Sequence, residues 1–152
     1  MPVEPYRRVL VVDDDHEVRE LLATVLMQKS LVVDRAADGR HAVELLRENE
    51  YAVVLLDLMM PDLDGFTVLD VMSAEGRVPP IVLVITGAER EVVEQLDAQR
   101  IHGIIRKPFD PHDLAAIVHA CSEVRARNVF ETMAIATMIS SAPLLAWLSW
   151  RA

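Results

Sequence analysis

Residues 9–15 read Val-Leu-Val-Val-Asp-Asp-Asp, four consecutive apolar side chains running directly into three carboxylates. An apolar run without alternation suits a strand buried on both faces, as in a parallel sheet covered by helices on each side. Leu21, Leu22, Val25 and Leu26 then fall on one helical face, and Ser30 ends that helix. The strand-helix unit begun here occurs five times in all.

Outward from this point, residues 31–33 predict a weaker second strand, and residues 39–48 a helix carrying Ala42, Val43, Leu45 and Leu46 inward. Val-Val-Leu-Leu at 53–56 is the third strand; Pro61 and Gly65 bracket a loop before a helix over 66–74. Pro79-Pro80 precedes the fourth strand at 81–85, and residues 89–99 predict a fourth helix with an acidic first turn. Residues 103–106 form the fifth strand, and Pro111 opens a fifth helix through Leu114, Ile117 and Val118. The fold class is α/β: a doubly wound, five-stranded parallel sheet, for which the order 2-1-3-4-5 is expected.

The chain has 152 residues, enough for one domain with a real core. Its hydrophobic and charged fractions, 52% and 26%, exclude an intrinsically disordered chain. Fifteen basic against 24 acidic side chains give a net charge of −9, which disfavours direct nucleic-acid binding. The single Cys121 allows no internal disulfide, as reducing compartments require, and residues 1–8 lack the features of a signal peptide. A cytoplasmic location is expected.

In open parallel sheets, ligands bind beyond the carboxyl ends of the strands. Strand one ends in Asp13-Asp14-Asp15, strand three in Asp57, strand four in Thr86, and strand five in Arg106-Lys107-Pro108. Clustered carboxylates repel one another unless a cation or protons are present, and hard oxygens favour Mg²⁺. A divalent ion, an ammonium and a hydroxyl around a carboxylate nucleophile are what phosphoryl transfer onto an aspartate needs.

The run at 9–15, Leu-Leu-Asp-Leu-Met-Met-Pro-Asp-Leu-Asp-Gly at 55–65, Ile-Thr-Gly-Ala at 85–88 and Lys-Pro-Phe at 107–109 resemble the receiver domain of two-component response regulators, over about residues 6–125. The resemblance implies a flavodoxin-like, CheY-like fold. It implies that Asp57 is the phosphoacceptor, served by a sensor histidine kinase or phosphotransfer protein. Asp14 would bind Mg²⁺ directly, Asp13 mainly through water, with Asp57 and the backbone carbonyl of Met59 completing the protein ligands. Lys107 would contact the phosphoryl oxygens, with its peptide bond to Pro108 in the cis form, and Thr86 would move toward the phosphoryl group. No enzymatic turnover is implied beyond phosphoryl acceptance and slow self-dephosphorylation. The chain departs from many receivers at Ile104, where an aromatic residue usually serves the switch, and Gly87 is expected to loosen the neighbouring loop.

Two other readings compete. One is an interaction module that keeps the fold but works without phosphorylation. The other is a small Mg²⁺-dependent phosphatase, suggested by Asp62-Leu63-Asp64-Gly65; Pro61 and the distance from the strand favour a loop with a helix cap at Asp64 instead. Residues 1–127 are expected to form the receiver and residues 128–152 a hydrophobic helical extension. From 132 to 150 there are no charged side chains, and Pro143, Trp147 and Trp150 lie within that stretch. A helix pair docking on a partner or on a second copy is favoured there over a membrane anchor. The residues after the fifth helix are too few for an ordinary output domain, so a stand-alone receiver acting on a downstream protein is expected.

Overall fold

The computed structural model describes residues 4–74 and 79–141, with side chains through residue 128. After a short 3-10 turn, five strands alternate with five helices: β1 (Arg8–Val12), α1 (His16–Met27), β2 (Val32–Ala36), α2 (Gly39–Glu48), β3 (Val53–Leu56), α3 (Gly65–Ala74), β4 (Ile81–Thr86), α4 (Arg90–Val93), β5 (Gly103–Arg106) and α5 (Pro111–Ser141). All strands are parallel, in the order β2-β1-β3-β4-β5. The expected sheet and its order are thus what the chain forms.

The central strands are apolar because both their faces are covered. On one face Val9, Val11 and Leu55 meet Leu22, Leu26, Leu114 and Val118 of α1 and α5. On the other, Leu10, Val12 and Leu56 meet Ala42, Val43, Val68 and Leu69 of α2 and α3. Removing a fully buried leucine such as Leu22 from such a packed interior costs about 2–5 kcal/mol.

Three elements differ from their sequence reading. Strand β2 continues past residue 33 through Asp34 and Arg35, two charges a buried strand would not carry. It lies at the sheet edge, where Asp34 accepts from Tyr51 at 2.7 Å and Arg35 meets Glu20 at 3.0 Å. Helix α4 is four residues rather than eleven. After it the N–H groups of Gln95 and Leu96 bond three residues back, and the Asp97 carboxylate accepts from the Gln99 N–H at 2.9 Å, so local turns replace the α pattern.

Helix α5, the third, passes without a break through residues 127 and 128, so the extension as far as Ser141 is its continuation. Pro143, Trp147 and Trp150, with the second half of the expected helix pair, lie outside the described residues. Among the described residues no helix is long and apolar enough to cross a membrane.

Candidate functional site

Strand register brings the first two acids together. Val12 pairs with Ala36 on one side and Leu56 on the other. The next residues continue both ladders: the Asp13 N–H reaches the Ala36 carbonyl at 3.2 Å, and the Asp57 N–H the Val12 carbonyl at 3.0 Å. Asp13 and Asp57 therefore leave neighbouring strand ends at the same level, and both are buried.

The β1–α1 turn divides its three carboxylates by task. Asp15 caps α1, accepting from the N–H groups of Glu17 and Val18 at 2.9 and 3.2 Å, as short acidic side chains do at helix starts. Its own N–H donates to Asp13 Oδ1 at 2.9 Å. Asp14, between them, stays exposed at the mouth of the site. Arg19, one turn into α1, donates to the Asp13 carbonyl at 2.8 Å. Nothing in the sequence singled out Arg19, because its partner is a main-chain atom that no side-chain pattern records.

From the far side of the sheet, Lys107 Nζ lies 2.8 Å from Asp13 Oδ2 and 3.2 Å from Asp57 Oδ2. Its backbone is anchored too, its N–H donating to the Thr86 carbonyl at 3.1 Å, and the peptide bond to Pro108 is cis as expected. Met59 is exposed, and its N–H donates to Asp57 Oδ1 at 3.2 Å. Thr86 is fully buried at the end of β4, and its hydroxyl oxygen accepts from the Ala88 N–H at 3.0 Å within its own loop. Gly87 is uncrowded, with only Lys107 Cβ near a Cβ built there, at 3.9 Å. Ile104 is 40% exposed on β5.

The charges do not balance. Burial, reinforced by the Asp13 charge, holds the Asp57 carboxyl above its ordinary value despite the Lys107 ammonium and the Met59 N–H. Burial would lower the Lys107 ammonium, but its contacts with Asp13 and Asp57 outweigh it and raise the group. One ammonium is thus shared between two buried carboxylates, and a third carboxylate stands beside them. One oxygen from each of Asp13, Asp14 and Asp57 lies within 4.8 Å of the others. An excess of hard, negative oxygens at that spacing fits a small divalent cation such as Mg²⁺. The Asp62–Asp64 loop serves α3 instead, since Asp64 Oδ1 accepts from the Thr67 N–H at 3.0 Å.

The response regulator receiver domain, as a family, matches residues 9–119. This chain belongs to that family. The transcriptional regulatory protein SrrA of Staphylococcus aureus is 35% identical over 134 residues, covering 81% of this chain and 55% of that protein. The receiver chain thus spans about half the length of that relative. A CheY-like response regulator receiver domain protein from Methanospirillum hungatei is 27% identical, with a TM-score of 0.68 over 79% of this chain and 97% of that one. The response regulator protein TrrA from Thermotoga maritima, solved in complex with Mg²⁺ and BeF, is 26% identical, with a TM-score of 0.66 over 76% of this receiver and 98% of that chain.

Proposed function

We propose that this receiver takes a phosphoryl group onto Asp57 from the phosphohistidine of a sensor histidine kinase or phosphotransfer protein, and signals by altered contact with a downstream protein. The observation that carries the reading is Lys107 Nζ, within hydrogen-bonding distance of both Asp13 and Asp57. That position puts an ammonium where a phosphoryl oxygen on Asp57 would need one.

In this reading an Asp57 carboxylate oxygen forms the new bond to phosphorus as the bond from phosphorus to the donor imidazole breaks, and the imidazole leaves. Lys107 then exchanges its contact with Asp57 for one with a phosphoryl oxygen while keeping Asp13. The Thr86 hydroxyl turns from Ala88 to donate to a second phosphoryl oxygen. Asp13, Asp14, Asp57 and the Met59 carbonyl would hold Mg²⁺, which supplies charge neutralisation at the phosphoryl oxygens. Asp13, fixed by Asp15 and Arg19, needs no rearrangement for that task. The reading places the receiver in residues 1–127, in the reducing cytoplasm that a single-cysteine chain suits. The net charge of −9 supports a protein rather than a nucleic acid as the direct partner.

Incubation with acetyl phosphate and Mg²⁺, followed by intact mass, tests the proposal. One phosphoryl adduct is expected on the wild-type chain, and none on Asp57→Asn. An unmodified wild-type chain would turn the assignment toward the phosphorylation-independent module, and an adduct that survives Asp57→Asn would move the acceptor elsewhere.

A further inference from the structure

Two side chains hold the loop that follows β4. The Ala88 N–H donates to Thr86 Oγ at 3.0 Å, and the Ala88 carbonyl accepts from Arg106 Nη1 at 2.5 Å. The main chain of one buried residue is tied on both sides, once by the switch hydroxyl and once by a cation on β5. The Lys107 N–H fixes the adjoining Thr86 carbonyl. Between these anchors Gly87 is free of close neighbours, so the turn can swing there.

Along β5 the exposures alternate, with Ile104 and Arg106 outward and Gly103 and Ile105 less exposed. Successive strand side chains point to opposite faces. Lys107 therefore serves the acid cluster, while the preceding residue, Arg106, serves the Ala88 loop from the other face. Ile104 shares the outward face but has no group that could bond a carbonyl. Two residues on, Arg106 makes the polar contact.

We propose that Arg106 is a positioning residue for Thr86: its guanidinium pins Ala88 and keeps the Thr86 hydroxyl turned into its own loop. Release of that bond carries phosphorylation of Asp57 to the outer face of β5. The second half of this inference rests on the phosphoryl-acceptor reading above; the first half does not. When the Thr86 hydroxyl turns away, the Ala88 N–H loses its acceptor, and the Arg106 bond is the side-chain restraint left on that residue. Once the loop moves, the guanidinium becomes a new cation at the exposed end of β5. This gives the receiver a polar route to its surface at a strand that carries Ile104 in the aromatic position.

The test uses the full chain as wild type, Arg106→Ala and Arg106→Lys. Amide exchange at Ala88 is read by NMR, and phosphorylation by acetyl phosphate and Mg²⁺ is timed by intact mass. Without phosphodonor, Arg106→Ala is expected to exchange the Ala88 amide about tenfold faster than wild type, the size of one lost charge-assisted bond. It is expected to be phosphorylated several-fold faster, because Thr86 turns more easily. Arg106→Lys, which keeps the charge and a donor, falls between, and wild-type exchange rises toward the Arg106→Ala level on phosphorylation. Identical donor-free exchange in wild type and Arg106→Ala overturns the inference. So does faster exchange with an unchanged phosphorylation rate, which would make the contact merely structural. If no variant gains an adduct, the acceptor reading and the coupling fall together, and donor-free exchange alone decides the hold on Ala88.

Discussion

Gly65 opens α3 against the strand end that carries Asp57. A Cβ there would lie 2.5 Å from the Asp57 carbonyl oxygen and 2.8 Å from Leu58 Cα, and both neighbours are backbone atoms. Gly65→Ala must therefore push α3 away from the site, and overpacking of this kind costs about 1–3 kcal/mol. Gly87→Ala meets only ordinary contact with Lys107 and should stay within about 0.5 kcal/mol of wild type. Urea unfolding of the two variants checks the contrast; equal midpoints would mean that the backbone absorbs the crowding at 65. The sequence hints at neither result, because Gly65 and Gly87 each follow a polar residue, and the contrast lies in what the folded chain brings against them.

The start of α1 lets neighbouring carboxylates be separated by experiment. Asp15 caps the helix, so Asp15→Ala is expected to cost about 1 kcal/mol of stability. The substituted residue keeps the N–H that bonds Asp13, so divalent-ion affinity should fall less than it does for Asp14. Asp14→Ala, exposed and outside the cap, should leave stability within about 0.5 kcal/mol and weaken Mg²⁺ binding by about tenfold or more. Denaturant melts and Mg²⁺ titration calorimetry give both quantities; the reverse ranking would refute this division of labour.

The elements themselves were largely legible, because β1, β3 and β4 are apolar on both faces and their helices carry clear inward stripes. What stayed hidden depends on partners distant in sequence or on main-chain atoms. Asp34 remains in a strand by meeting Tyr51 and Arg8, and Arg35 by meeting Glu20. The acidic start at 89–94 has helical character, but local bonding around Asp97 ends the helix early. Asp13, Asp57 and Lys107 were legible because each directly follows a strand, and Asp14 because it adjoins Asp13. Arg19 and the Arg106 contact were not, since both act on carbonyl oxygens.

At the scale of the molecule, the surplus negative charge in the site makes stability depend on pH and on cations. The Asp57 carboxyl is raised in the folded chain, so above the ordinary carboxylate value the native state holds protons that the unfolded state has lost. Its contribution is fully present at lower pH and is lost as pH rises through the raised folded value. With divalent ions chelated, Asp57→Asn should gain thermal stability relative to wild type as pH rises from about 4, then level off once the pH has passed the raised folded value. Adding Mg²⁺ should narrow that gap by stabilising wild type. Thermal melts of both proteins across that range suffice, and a difference that does not vary with pH would contradict the assignment. Helix α5 is unbroken from Pro111 to Ser141, about 45 Å at 1.5 Å per residue. Over that length geometry amplifies: a tilt of about 5° about the first turn would carry the last turn through an arc of about 4 Å, so a sub-ångström adjustment where α5 begins becomes a displacement of ångströms where it ends.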